Sequence, residues 1–260
     1  MPFHTKSGAG NESLHSMATK EEMLKRVRGA LRPTSELGLP AQPRGRETLP
    51  ELGRVLPPVP AEELVRKFEA EFQKVSGIAH HASSSRELDQ VLDEILSSCG
   101  PGPAIFSRNR ILGELNLPER IKSLGRPVIA WPQDGSVTAE EIERFRGECF
   151  SSAVGVTGVE FALAESGSLV LSSLTEGSQL ASLAPPVHVA VYRRAQVVET
   201  LEEVLAAVPI PREPGRSISG RSVVFITGSS RTADIEQITV RGVHGPTQLH
   251  AILTEDSCFP

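Results

Sequence analysis

Short apolar, β-branched runs alternate along this chain with longer stretches whose apolar residues recur at helical spacing. Strands that alternate with helices build a largely parallel sheet covered on both faces. Leu64, Val65, Phe68 and Phe72 share one face of a helix predicted over residues 61–75. Leu88, Val91, Leu92, Ile95 and Leu96 do the same over 85–98. Residues 77–80, 104–106, 127–131, 153–157, 169–171, 186–192 and 249–253 read as strands. Thr138 with Glu141 forms a capping-box pattern that opens a helix to about Gly147. Residues 158–164 fit a short helix, and 195–208 a longer one with Val198, Leu201, Val204 and Leu205 inward.

The N-terminal part has a different character. A second capping-box pattern, Thr19-Lys20-Glu21-Glu22, opens a short helix to about Leu31, and a Pro- and Gly-rich stretch follows to Pro60. The expected division is an N-terminal tail, short helix and arm over 1–59, then one α/β domain over 60–260. The arm lies on the domain surface or packs on a partner chain.

One stretch carries more chemistry than the rest. The apolar run Val223-Val224-Phe225-Ile226 ends in Thr227-Gly228-Ser229-Ser230-Arg231-Thr232, followed by an acidic run containing Asp234. Read as strand, tight loop and helix start, it offers amide N–H groups and hydroxyls to an anion, with Arg231 as a guanidinium fork. Read blandly, the hydroxyls are turn and cap residues. Further on, Gly242-Val243-His244-Gly245-Pro246 is a second punctuated loop with a histidine that switches charge near neutral pH. Asp234 either orients His244 or complements the helix dipole. His188, in a strand, and the single Trp131 read as core residues.

Composition narrows the function classes. Net charge is −5, which leaves no basic footprint for nucleic acid or an anionic membrane. The polar N-terminus has no apolar signal region, and no apolar run approaches the roughly twenty residues of a membrane span, so a cytoplasmic location is expected. The three cysteines lie far apart, and no histidine spacing suits a metal.

The segments Val154–Thr157, Leu163–Leu171, Pro185–Val191, Thr227–Glu236 and Gly242–Pro246, in this order, resemble the LUD (lactate utilisation) domain family, and within it the lactate utilisation protein C branch. The resemblance covers roughly residues 60–255; that family more often has Thr where this chain has Ser166 and Ser168, so a hydroxyl is kept. It implies an α/β fold with a mostly parallel central sheet, similar to CoA transferases and ribose-phosphate isomerases. It also implies a cytoplasmic, non-cluster subunit in the oxidation of L-lactate to pyruvate, beside iron–sulfur partner subunits. By analogy with the fold relatives, Glu165 is a candidate nucleophile or proton carrier, with His244 as a candidate base. A small anionic ligand is expected among the loops that hold Glu165, Ser166 and Gly167; Gly228, Ser229, Ser230, Arg231, Thr232 and Asp234; and His244 and Gly245. Two alternatives stand beside this: a stand-alone enzyme acting on a CoA-like or sugar-phosphate-like substrate, and a scaffold that docks the iron–sulfur partners.

With three isolated cysteines this chain cannot ligate a cluster alone. The purified protein is expected to contain neither stoichiometric iron nor acid-labile sulfide. Finding both would show clusters shared between chains.

Overall fold

In the computed structural model the described residues are 20–30, 57–132, 137–207, 222–233, 239–241 and 245–260. The chain divides into two compact units, Met1–Pro57 and Pro58–Pro260. The first contributes one described helix, α1 (Lys20–Ala30); Thr19 and the proline-rich arm lie outside the described residues.

The second unit follows the alternating pattern. Its first half runs α2 (Ala61–Lys74), β1 (Ile78–Ala82), α3 (Ser85–Ser98), β2 (Ala104–Phe106), α4 (Arg110–Glu114), α5 (Leu117–Ser123), β3 (Val128–Ala130) and α6 (Ala139–Ser151). Then come β4 (Val154–Thr157), β5 (Phe161–Leu163), β6 (Ser168–Ser172), α7 (Ser173–Glu176), α8 (Leu180–Leu183) and β7 (Val187–Tyr192). The remainder is β8 (Val197–Val198), α9 (Leu201–Ala207), β9 (Val223–Ile226), β10 (Arg231–Ala233), β11 (Thr239–Arg241) and β12 (Gln248–Thr254). Caps fix several helix starts: Ser84 accepts from Glu87 N at α3, and Thr138 and Glu141 form the reciprocal capping box of α6.

Six strands form the central sheet in the order β1-β12-β7-β4-β2-β3. Every pairing in it is parallel. Because parallel strands are buried on both faces, they read as unbroken apolar runs; every residue of β7 is buried. One face, through Val154, Val156, Val187, Val189 and Ile252, packs on α3, α4 and α5. The other, through Ala190, Tyr192, Leu249, Ala251 and Leu253, packs on Phe68 and Phe72 of α2 and on Leu169 and Leu171 of β6. Phe68 stacks on Phe72 and meets Tyr192 edge-on, each with ring centroids 5.3 Å apart.

Here the structure departs from the sequence reading. The second face is covered partly by another sheet, ordered β8-β5-β6-β9, rather than by helices alone. Residues 158–164, expected as a short helix, contain strand β5, which forms an antiparallel hairpin with β6. The expected helix 195–208 is a 3-10 turn (Arg194–Gln196), then β8, and only then α9. Val198 lies in the sheet, and Leu201 and Leu205 are exposed, so among the four expected inward residues only Val204 packs from the helix. A two-residue strand has too few positions to show a period, and β5 pairing outweighs the helix propensity of the Ala- and Glu-rich stretch.

Burial holds three histidines of the central sheet below the ordinary histidine pKa. His188 is fully buried, shares a 2.8 Å hydrogen bond with Thr157 Oγ1, and has no partner at Nδ1 among the described residues. Burial pushes its pKa down to about 3. His80 Nε2 and His250 Nδ1 are 2.9 Å apart on β1 and β12, and their rings stack. Burial lowers both, that of His250 to about 4. A group whose folded pKa is depressed favours folding fully above its unfolded value, near 6.5 for histidine, and loses that contribution as pH falls toward the folded value. Glu69 and Glu176, raised by burial, act in the opposite sense. The histidine contribution is therefore read as a difference. Denaturant unfolding between pH 6.5 and pH 4 is expected to show a smaller loss of stability in His250→Gln than in wild type.

Candidate functional site

The hydroxyl-rich loops do come together, though not in the predicted way. The hairpin turn of Ala164, Glu165, Ser166 and Gly167 joins β5 to β6, and β6 pairs antiparallel with β9, so the turn lies beside the loop that leaves β9. A chain of hydroxyls links them: Ser166 Oγ to Ser168 Oγ at 2.8 Å, and Ser168 Oγ to Thr227 Oγ1 at 2.6 Å. The third loop joins at the far side, where Ser230 N donates to Pro246 O at 2.9 Å. Gly245 lies against the Ser230 side chain. Ser229 Oγ, in the loop after β9, is buried and has no hydrogen-bond partner among the described residues.

Two features of the sequence reading are corrected. No helix begins at Thr232: residues 231–233 are strand β10, paired antiparallel with β11. The loop thus does not present a helix N-terminus to an anion, and any donors are those of a turn and a hairpin. Nor does the loop leave a parallel strand, because β9 belongs to the smaller sheet and runs antiparallel to β6. The alternation of β-branched and polar residues in Arg231-Thr232-Ala233 and Thr239-Val240-Arg241 suits a hairpin. The acidic residues between them were the misleading signal. Asp234 and His244 lie outside the described residues, as do the side chains of Arg231 and Thr232.

Glu165 has a structural task. Its Oε2 accepts the Leu201 amide at 3.0 Å, one of the donors left free at the start of α9. Gly167 and Gly228 are required by packing: φ is +62° and +88°, and a Cβ at either would run into the backbone of Phe72 or Val75 at the end of α2. Gly167→Ala is accordingly expected to destabilise the fold by about 1–3 kcal/mol from the left-handed backbone alone, and more from the clash. Thermal melting reads this directly. An unchanged melting temperature would mean the turn moves freely away from α2.

A second polar centre was not singled out from the sequence. Adjacent strands β2 and β4 are followed by connections that leave in opposite directions, toward β3 and toward β7. Such a switch point is where open parallel sheets hold their ligands. Ser107 and Asn109 follow β2, Gly158 follows β4, and Glu176 of α7 sits between them, fully buried. Glu176 Oε2 accepts Ser107 Oγ at 2.6 Å, Oε1 accepts Asn109 Nδ2, and the Gly158 amide donates to the same carboxyl. Burial raises the Glu176 pKa despite these donors, and Glu160 adds to the rise. The legible signal was Ser107-Arg108-Asn109, a polar trio directly after an apolar strand. Among the described residues, no group of three His, Cys, Asp or Glu is arranged to hold a metal ion. None of their helices is long and apolar enough to cross a membrane.

Comparison with known proteins places this architecture. The LUD domain matches residues 65–254. Lactate utilization protein C of Deinococcus radiodurans is 27% identical over 201 residues, covering 75% of this chain and 84% of that protein. Lactate utilization protein C of Bacillus subtilis is 31% identical over 180 residues, covering 67% and 71% respectively. Among solved structures, a DUF162 family protein from Deinococcus radiodurans superposes with a TM-score of 0.50 at 21% identity, covering 76% of this chain and 100% of that one. At that identity the likeness concerns the fold.

Proposed function

The chain belongs to the LUD domain family, and from that membership we propose that it serves lactate utilisation as a non-cluster subunit of a system that oxidises L-lactate to pyruvate. The support is the match to relatives named lactate utilization protein C over most of the chain. In this reading the electrons pass to iron–sulfur partner subunits, because three separated cysteines give this chain no cluster of its own. The small anion it handles binds where the three loops meet.

The observation that carries the binding site is the buried hydroxyl of Ser229, which has no partner among the described residues. A buried polar atom without a partner is rare in folded proteins and marks a place where a water, ion or ligand completes the bonding. The same loops carry the Ser166–Ser168–Thr227 hydroxyl chain, and Gly245 lies against the neighbouring Ser230. Arg231, the first residue of β10 after Ser230, is the guanidinium assigned to this site. His244 and Asp234, in the segments that flank β11, are the titratable groups assigned to the site.

The test is genetic and direct. Deleting the gene is expected to abolish growth on L-lactate while sparing growth on pyruvate. Wild-type complementation restores it, and Arg231→Ala or Ser229→Ala lowers the growth rate on lactate without changing the melting temperature of the purified protein. Unimpaired lactate growth in the deletion strain sinks the assignment to lactate utilisation. Full complementation by both variants sinks the loop site alone.

A further inference from the structure

The switch point between β2 and β4 is filled by the chain itself. Three donors from two different loops converge there on one carboxyl: the Ser107 hydroxyl, the Asn109 side-chain amide and the Gly158 backbone amide. Thr175 Oγ1 lies 3.5 Å from the same Oε1 and donates more closely to Glu160 at 2.7 Å. The donor set is neutral, convergent and desolvated, with Ser107 3% exposed and Glu176 wholly buried. That is the chemistry of a carboxylate cradle. The position is also where parallel sheets of this kind place their ligands. A glycine at 158 is part of the construction, because a Cβ there would strike the Asn109 amide group.

The element that delivers Glu176 is slight. α7 is a single turn, Ser173–Glu176, closed by Gly177 at φ +74°. Leu174 on it is exposed. It is tied down by Arg108, whose Nη2 donates to Leu174 O at 2.7 Å and whose amide donates to Glu176 O at 3.1 Å.

We propose that Ser107, Asn109 and the Gly158 amide form a binding site for a small monocarboxylate, and that Glu176 is an internal stand-in which such a ligand displaces as α7 lifts. The exchange is isosteric at the cradle: one carboxylate leaves three donors and another takes them. An emptied cradle would strand buried donors, so either occupant is needed to keep the loops after β2 and β4 together. The raised pKa of Glu176 is consistent with a buried carboxylate that gains by returning to water. The inference stands apart from the Ser229 loop site, and its test separates the two.

Glu176→Ala removes the stand-in and leaves space for formate or acetate. The variant is expected to melt below wild type. Sodium acetate should then restore it, with a rise of roughly 3–6 °C when acetate reaches about ten times its Kd, beyond any effect of equimolar sodium chloride. L-lactate should act likewise. Adding Ser107→Ala should weaken this rescue, whereas adding Ser229→Ala should leave it intact. Acetate stabilisation no greater than that of chloride overturns the proposal. So does rescue that is lost with Ser229→Ala, since the anion would then sit in the serine loops. Should Glu176→Ala not fold, the wild-type protein decides. The single tryptophan, Trp131, lies against Gly177 at the end of α7. Its emission should change saturably with acetate or L-lactate in wild type and less so in Ser107→Ala. A wild-type emission that does not respond rejects the site.

Discussion

Complete burial of strand β7 governs this structure. Parallel strands leave no wet face, so both sides of Val187–Tyr192 must be covered. On one side helices α3 to α5 supply the cover, and on the other α2 and the smaller sheet do. The polar side chain that β7 carries inward, His188, must then stay neutral and find a bond, which Thr157 on the neighbouring β4 provides. The packing of α2 against Tyr192 through Phe68 and Phe72 in turn brings the end of α2 up to the turns at Gly167 and Gly228. The serine-rich loops are thus placed by an apolar contact, with their hydroxyls arranged as a consequence.

The same sheet sets two distinct polar centres. At the switch point between β2 and β4, topology opens a crevice, and the free-energy cost of unpaired buried donors, about 1–3 kcal/mol each, requires an acceptor inside it. Glu176 meets that requirement from within the chain. At the hairpin end of the smaller sheet, the hydroxyls of Ser166, Ser168 and Thr227 bond to one another, while that of Ser229 has no partner among the described residues. One centre is closed by an internal carboxylate and the other retains an unmet hydrogen bond. A small anion suits either by chemistry, for different reasons: substitution in the first and completion in the second.

Glu165 makes a tertiary contact that its local sequence does not announce. A carboxylate in a tight turn after an Ala-rich segment reads as a reactive group by analogy with related folds. In three dimensions it reaches the first amide of α9, a residue distant in sequence. The capping bond exists only because β8 pairs with β5 and brings α9 alongside the turn. Glu176 is the reverse case. In sequence it is an unremarked acid in a Ser- and Thr-rich stretch, yet its side chain is fully buried.

The α/β class, the parallel central sheet, the bounds of α2 and α3, and the family were legible from the residues alone. These rest on periodicity, capping pairs and local motif order, all of which are encoded within short windows. The sequence also marked Ser166, Gly167, Gly228 and Ser229 as unusual, since Gly and Ser clusters announce turns wherever they occur. Contacts formed on folding settle that β5 and β8 are strands, that Thr232 lies in a strand paired antiparallel with β11, and that the donors of Ser107, Asn109 and Gly158 meet at Glu176. The β5–β8 pairing and the meeting at Glu176 depend on partners far along the chain, whereas β10 pairs with β11 a few residues on, in a stretch too short to show a period. Strand pairing and the convergence of loops are fixed by long-range contacts that no local period records.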